Sequence, residues 1–210
     1  MARRTKEDAE ATRHKLLDAA EVVFSAKGVA GASLSEVAAQ AGLTRGAIYW
    51  HFKDKVDLFD AMMQRVTLPL ENALQEDEGE GQDALQHLRQ ALATLLRRVE
   101  CDAQTRRVFE IAIHKMEFVG ELAAVRERCV LATRQFVEQL SCKLGRAAQQ
   151  HGLVLPLPAM VAARGLHAVF DGVLHAWLLN EGAFSLEREG MLFMEMQLKA
   201  MGFVWCDAHS

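Results

Sequence analysis

The feature that most constrains this chain is a series of helix-ending and helix-starting signals packed into its first quarter. Gly28 follows an apolar helical stripe, and Ser33 and Glu36 form a capping box, in which each side chain can bond the other residue's backbone N–H. Gly42 suits the left-handed turn that ends a helix, and Thr44 can cap the next helix. Two short helices joined by a four-residue bend are therefore predicted, which is the helix-turn-helix motif.

Apolar residues on both sides of the motif complete a small bundle. A first helix carries a stripe at helical spacing, formed by Leu16, Leu17, Ala20, Val23 and Phe24. Ile48 and Phe52 are predicted to face this stripe, and Asp54 can cap the helix that follows. We therefore predict a three-helix domain over residues 1–54, joined to a larger helical domain over residues 55–210.

The rest of the chain has the periodicity of helices and no strand pattern. Half of the residues are apolar and only 3 are proline, which suits a helical globular protein. Helices are predicted at about 84–100, 105–118, 121–151, 158–180 and 186–204. The predicted fold class is all-α.

Charge is distributed unevenly along the chain. The net charge is −4, yet residues 1–66 hold 10 Lys and Arg against 9 Asp and Glu, leaving 14 against 19 for the rest. The front begins with a basic segment, Arg3, Arg4 and Lys6, which is predicted to be a mobile arm that attracts phosphates. This distribution permits nucleic-acid binding at the N-terminus.

Several classes of protein are excluded by what the sequence lacks. No apolar run is long enough to span a bilayer and no leader begins the chain, so a cytoplasmic protein without a membrane partner is expected. The four cysteines form no Cys-x-x-Cys pair and are expected to be buried thiols. No nucleophile elbow, phosphate-cradling loop or His-Glu-x-x-His motif occurs, so neither enzymatic activity nor a cofactor is predicted.

The segment GLTRGAIYWHFKDK at residues 42–55 closely resembles the recognition segment of TetR/AcrR-family repressors. Residues 3–7 and 17–21 are also similar to that family, most of all to its branch that represses multidrug efflux-pump operons. The resemblance implies a homodimer that binds a palindromic DNA operator and is released by a small lipophilic ligand.

The recognition segment predicts how DNA would be contacted. The candidate DNA-binding residues are Ser33, Thr44, Arg45, Gly46, Tyr49, Trp50, His51 and Lys55. Arg45 can bond guanine O6 and N7, and Gly46 allows the backbone to approach the duplex closely. Lys55 opposes the dipole of its own helix, which makes sense where a phosphate uses its ammonium group.

The resemblance also implies a ligand pocket in the larger domain, with an apolar, aromatic lining. Its candidate residues are Phe109, Ile113, His167, Phe170, Asp171 and Leu174. Asp171 in an apolar segment needs a partner, which is either a cationic ligand or a hydrogen bond to His167 or His175. Three consecutive helical turns spread these three side chains over about 12 Å, so no metal site is predicted.

The last helices are expected to provide the dimer interface. Trp177, Leu178, Leu179 and the methionine-rich run 191–201 are the candidates, with plain core filling as the alternative.

Two other functions stay open from the sequence. One is a helical small-molecule binding protein whose N-terminal bundle docks a protein partner. The other is a redox-sensing regulator that acts through Cys101 or Cys129.

Overall fold

The computed structural model describes residues 2–75, 83–117 and 123–205, and within those ranges every regular element is a helix. In chain order they are α1 (Ala2–Gly31), α2 (Leu34–Gln40), α3 (Arg45–Tyr49), α4 (Lys55–Gln75), α5 (Ala84–Cys101), α6 (Ala103–His114), α7 (Ala123–Gln150), α8 (Ala159–Leu179) and α9 (Leu186–Ala200). The predicted all-α fold class is confirmed.

The chain divides into two compact units. The first comprises Met1–Pro69 and Ala103–Cys129, and the second comprises Leu70–Asp102 and Val130–Ser210. The first unit contains the whole of the predicted N-terminal domain, together with α6 and most of α4. The predicted domain boundary between residues 54 and 55 stays a prediction.

The core of the first unit is built from the apolar stripe that the sequence shows on α1. Leu16, Leu17, Ala20 and Phe24 have no exposed surface, and they meet buried residues from α2, α3, α4 and α6. Burying each large apolar side chain contributes about 1.5–3 kcal/mol, so this cluster provides much of the driving force for folding.

The leading segment of the chain differs from its predicted form. Residues 2–5 are helical and continuous with the rest of α1, whereas a mobile arm was predicted for Arg3, Arg4 and Lys6. Lys6 and the four residues after it are exposed, and the Thr12 hydroxyl donates to the Asp8 carbonyl oxygen one turn earlier. Strong helix formers in this stretch explain the difference.

The second unit is organised around the amphipathic helix α5. Its buried positions are Ala84, Leu85, Leu88, Ala91, Leu92, Leu95, Leu96 and Val99, which follow the spacing of one helical face. The helix packs against α9, where a Cβ placed on Gly190 would lie only 2.8 Å from a Leu96 methyl carbon. Glu100 at the end of α5 accepts a hydrogen bond from the backbone N–H of Glu187, which ties the start of α9 to α5.

The expectation of buried thiols is wrong for three of the four cysteines. Cys101, Cys129 and Cys142 are exposed in the single chain, and Cys206 lies outside the described residues. Cys101 is the last residue of α5, and the other two lie at exposed positions of α7. None of the described helices combines the length and apolar character needed to cross a membrane.

Candidate DNA-binding surface and ligand region

The α2–α3 turn forms as its sequence signals predict. The Ser33 hydroxyl accepts from the backbone N–H of Glu36, and the Glu36 carboxylate accepts from the backbone N–H of Ser33 at 2.9 Å. Gly42 has a φ of 70° and begins the turn, after which the Thr44 hydroxyl accepts from the backbone N–H of Ala47. These bonds fix where α3 begins and how far it lies from α2.

Glu36 is held in its charged form by the capping box. A hydrogen bond from the Lys27 ammonium group and further bonds from Ser33 lower the pKa of the Glu36 carboxyl to about 2. The capping bonds are therefore present over the whole neutral range.

The two faces of α3 have opposite characters. Ile48 has no exposed surface and Phe52, just after the helix, is 1% exposed, as predicted. Arg45 and Tyr49 are exposed together on the other face, with the guanidinium carbon 6.0 Å from the centre of the tyrosine ring. Trp50 is 89% exposed, which is rare for the largest apolar side chain.

The outer face of α3 also leaves room for close approach. A Cβ placed on Gly46 would meet nothing within 4 Å, so the absence of a side chain there is not required by packing. Ser33 and Thr44 are exposed at the starts of α2 and α3, and His51 is half-buried. Seven of the eight candidate residues therefore have accessible surface around one short helix and its neighbouring caps.

Lys55 is the exception among the candidate DNA-binding residues. It is only 8% exposed, and its ammonium group donates to the carbonyl oxygens of Ala30 and Ala32, each at 3.0 Å. Its predicted phosphate contact stays a prediction. In the structure without DNA, its ammonium group bonds carbonyl oxygens of the protein itself.

The candidate ligand residues are divided between the two units. Phe109 and Ile113 lie on α6 in the first unit, where both are half-buried. The other four, His167, Phe170, Asp171 and Leu174, lie on α8 in the second unit. Their role as a ligand pocket stays a prediction.

The α8 residues form a contiguous aromatic and polar group. The Phe136 ring on α7 lies 5.5 Å from the His167 ring and 6.1 Å from the Phe170 ring, measured between centroids. His167 Nδ1 is 3.3 Å from a carboxylate oxygen of Asp171, one turn along. Phe170 and Leu174, on the same helix, are buried.

Asp171 is less buried than its apolar sequence context suggests. Its side chain is 60% exposed and lies beside His167, so it is not an unpaired buried charge, while a cationic ligand as a further partner stays a prediction. The surrounding protein still raises the pKa of the Asp171 carboxyl, while the charge of His167 opposes that shift.

An open groove beside this group was not anticipated from the sequence. It has a volume of about 630 Å³ and is lined by Val130, Thr133, Arg134, Val137, Glu138, Met160, Arg164 and His167. Because it depends on how α7 and α8 pack, periodicity along one helix does not reveal it. Within the described ranges, no three histidine, cysteine or acidic side chains are grouped as a metal site would need.

The candidate dimer residues separate into core and surface. Trp177 is 2% exposed and its indole N–H donates to the Phe184 carbonyl oxygen at 3.0 Å, so it belongs to the core and not to an outer face. Leu192, Phe193 and Met196 on α9 are exposed, beside a shallow apolar groove between α8 and α9.

Comparison with known proteins covers both halves of the chain. Residues 16–62 match the family described as bacterial regulatory proteins, tetR family, and residues 83–203 match the C-terminal region of MAATS-type transcriptional repressors. The HTH-type transcriptional regulator TtgR of Pseudomonas putida is 36% identical over 180 residues, which cover 85% of this chain and 86% of TtgR.

Solved structures agree with this relationship over nearly the full length. NalD, the secondary repressor of the MexAB-OprM multidrug efflux pump in Pseudomonas aeruginosa, is 30% identical with a TM-score of 0.85, covering 94% of this chain and 100% of NalD. SmeT, the repressor of a Stenotrophomonas maltophilia multidrug efflux pump, is 32% identical in its complex with triclosan, with a TM-score of 0.81 and 95% and 98% coverage.

The relatives are regulators of transcription and not enzymes, and their shared N-terminal module contains the helix-turn-helix found here. The exposed face of α3 lies within the matched residues 16–62. The chain therefore belongs to the TetR family of bacterial transcriptional regulators.

Proposed function

We propose that this chain is a ligand-responsive repressor that binds a palindromic operator as a homodimer. The observation that supports this best is the outer face of α3, where Arg45, Tyr49 and Trp50 are exposed although the helix's other face is core. Folding alone gives no reason to expose two aromatic rings beside a cation, whereas a DNA duplex offers bases and phosphates to all three.

The proposed contacts follow from the position of each residue. Arg45 in the first turn of α3 bonds a guanine in the major groove, and Gly46 lets the backbone approach the same groove. Tyr49, Trp50 and His51 donate to phosphate oxygens, as do backbone N–H groups at the starts of α2 and α3. Two copies would read half-sites about one helical turn apart.

Fluorescence anisotropy with DNA from the upstream region of the chain's own gene tests this proposal. We expect saturable binding that falls steeply as salt rises, with preference over scrambled DNA of the same length. The Arg45→Ala variant should keep its thermal stability and lose that preference, at a cost of about 1–3 kcal/mol. Equal, weak binding of both DNA fragments by the unmodified protein would contradict the proposal.

A small lipophilic inducer is the proposed signal, and a multidrug efflux-pump operon is the proposed target. The relationship to NalD and SmeT supports both, and the aromatic group around Phe136 and Phe170 offers apolar surface of the right kind. Release of DNA requires a ligand coupling of about 1–3 kcal/mol against the DNA-bound conformation. Triclosan is the first compound to add to the anisotropy assay, since it is bound in the SmeT structure.

Asp171 distinguishes between classes of inducer. If it receives cationic ligands, Asp171→Asn should weaken their effect on DNA release and leave neutral ligands such as triclosan unaffected. Equal loss for both classes would assign Asp171 a structural role through His167 instead.

The exposed apolar face of α9 is proposed as the homodimer interface. Replacing Met196, which is 67% exposed, with glutamate should shift the sedimentation coefficient from dimer to monomer. Leu131→Glu on α7, where the side chain is 54% exposed, is the matched control and should leave the dimer intact. Dimers that persist in Met196→Glu but not in Leu131→Glu would move the interface to α7.

The two alternative functions receive less support. Although Cys129 is exposed in the single chain, neighbouring protein atoms still remove enough water to raise the pKa of its thiol, which lowers its thiolate fraction and its reactivity with oxidants. A protein partner for the N-terminal bundle would not require the salt dependence expected here. We propose action in the cytoplasm, where operator DNA is accessible.

A further inference from the structure

Arg13 lies on the core-facing side of α1, at the edge of the core of the first unit. It precedes Leu17, Ala20 and Phe24 by four, seven and eleven residues, so it shares their face of the helix, and those three have no exposed surface. Residues 6–11, which come before it, are all exposed. The core therefore ends at Arg13, and the position that would continue the apolar stripe carries a cation.

The contact of Arg13 with Phe52 places its charge beside the end of α3. The guanidinium carbon lies 5.3 Å from the centre of the Phe52 ring, and Arg13 is half-buried. Phe52 lies in turn next to His51, with ring centroids 6.4 Å apart. Arg13 thus reaches, from α1, the same end of α3 that carries Trp50 and His51, which are proposed to bind phosphates.

The hydrogen-bonding capacity of Arg13 is not used within the part of the chain that the structure describes. No described residue accepts a hydrogen bond from its guanidinium group or forms an ion pair with it. Glu10, three residues earlier on the same helix, is near enough for such a pair and does not form one. A contact with a ring occupies none of the five N–H donors as an ion pair would, so these donors are left for an acceptor outside the protein.

Two roles can be distinguished for an arginine at this position. In the first, its stem covers Phe52, which is 1% exposed, and its charged end lies in water. A leucine would cover the ring as well, at a smaller cost in side-chain entropy. In the second, the charged end binds a phosphate of the duplex that α3 reads. The position of the charge beside the end of α3 favours the second role.

We propose that Arg13 is a phosphate-binding residue, which extends the DNA interface from the helix-turn-helix onto α1. The inference rests on the proposed DNA-binding function and adds to it a contact outside the helix-turn-helix. The guanidinium group bonds a phosphate oxygen of the strand that passes the end of α3, and the Phe52 ring holds the group in place before DNA arrives. A phosphate contact carries no sequence information, so Arg13 contributes affinity and not base preference.

Salt-dependent DNA binding by two methionine variants of the full-length protein tests the proposal. Arg13→Met keeps an apolar cover on Phe52 and removes the charge and its donors. Lys15→Met is the matched control, because Lys15 is exposed on the same helix, about 200° around the axis from Arg13. Fluorescence anisotropy with the upstream fragment and with scrambled DNA is measured over a range of salt concentrations, well below the melting temperature of each variant.

Arg13→Met should weaken the binding of both DNA fragments by a similar factor, about tenfold or more, and leave the preference between them intact. Each phosphate contact accounts for about 0.9 of the slope of log K against log salt, so a dimer that loses two contacts should lose about 1.8. Arg13→Lys keeps the charge and should restore most of the slope. Lys15→Met should leave the slope unchanged and alter the affinity by less than about twofold.

The salt slope separates a phosphate contact from packing. If Arg13 only covers Phe52, Arg13→Met changes thermal stability or affinity without changing the slope, and that result overturns the proposal. An equal loss of slope in Lys15→Met also overturns it, because the effect would then follow net charge and not position. If the unmodified protein binds both fragments equally, the proposed operator function fails, while the slope on nonspecific DNA still decides the role of Arg13. Absence of any DNA binding would overturn both.

Discussion

The α2–α3 turn and the centre of α1 lie in the same unit but are held together in different ways. In the turn, Ser33 and Glu36 bond each other across three residues, and Thr44 bonds the backbone three residues on. At the centre of α1, Glu21 accepts hydrogen bonds from Arg65 on α4 and from Gln104 on α6. Those partners lie 44 and 83 residues away, so local bonds shape one region and distant bonds the other.

The Glu21 cluster illustrates what a buried charge contributes to the fold. Glu21 is 1% exposed, and its carboxylate also faces the guanidinium group of Arg107 at 3.4 Å. Burial raises the pKa of the Glu21 carboxyl, and the charge of Arg65 only partly opposes that shift. The cluster therefore joins three helices at a cost in desolvation, and its value lies in fixing their register.

Breaking the distant bonds should have the largest effect on stability. Glu21→Ala leaves Arg65, whose side chain is 15% exposed, without its buried partner and opens a gap between α1, α4 and α6. We expect a loss of about 3 kcal/mol in the free energy of unfolding, measured by urea denaturation. We expect no larger loss because the Asp18 carboxylate still pairs with the Arg65 guanidinium group, at 2.7 Å.

Glu21→Gln is the control, because it keeps the shape and some hydrogen bonds while removing the charge. A raised pKa in the folded state means that Glu21 contributes most stability below its unfolded pKa and loses it as pH rises through the folded value. The stability of Glu21→Gln relative to the unmodified protein should therefore rise with pH. If the difference in unfolding free energy between Glu21→Gln and the unmodified protein stayed constant with pH, the desolvation of Glu21 would be contradicted.

Gly190 extends the contrast to the second unit. Its Cβ position is 2.8 Å from a methyl carbon of Leu96, a buried residue 94 positions earlier, and nothing in the neighbouring sequence predicts this. Gly190→Ala should lower the free energy of unfolding by about 1–2 kcal/mol through overpacking.

Gly145 on α7 is the matched control for that substitution. A Cβ there would meet nothing within 4 Å, so alanine should stabilise the protein by about 0.5–1 kcal/mol through helix propensity alone. Thermal unfolding of both variants measures the change in stability that each alanine causes. Equal changes would mean that α5 and α9 do not approach each other closely at Gly190.

The features that the sequence could predict are those held by local bonds. The caps at Ser33 and Thr44, the turn at Gly42 and the buried Ile48 were predicted correctly, because each signal and its partner lie within one helical turn. The candidate DNA contacts were located by the same signals and by family resemblance, although their role in binding DNA stays a prediction.

Tertiary packing explains what the sequence could not predict. Trp177 looked like an interface residue, yet its indole reaches the Phe184 carbonyl oxygen inside the core. The bonds from Lys55 to the carbonyl oxygens of Ala30 and Ala32 span more than 20 residues of sequence, and the phosphate contact predicted for Lys55 stays a prediction. Neither partner is marked by residue type, since any residue offers a backbone carbonyl.

Breaking a local bond should cost less than breaking the Glu21 cluster. Ser33→Ala removes the N-cap of α2, and we expect a loss of about 1 kcal/mol in the free energy of unfolding without DNA. Ser35→Ala, an exposed serine in the same helix, is the control and should change the free energy by less than about 0.5 kcal/mol. A cost for Ser33→Ala as large as that of Glu21→Ala would show that the cap also fixes distant contacts.

The smallest effect concerns the pH dependence of the capping box, where local and distant bonds can be separated by titration. Since the pKa of Glu36 is lowered to about 2, its ionised form contributes stability above the unfolded pKa, and this contribution is lost as pH falls towards 2. Glu36→Gln should therefore be less stable than the unmodified protein at pH 7 and approach it at the acid end of the titration. The Glu21 cluster shifts stability in the opposite direction over the acid range, because its carboxyl pKa is raised. Urea denaturation from pH 3 to 7 would measure the stability of each glutamine variant relative to the unmodified protein. We expect this relative stability to rise with pH for Glu21→Gln and to fall with pH for Glu36→Gln. The same direction of change for both variants would contradict the opposite pKa shifts of the two carboxyls.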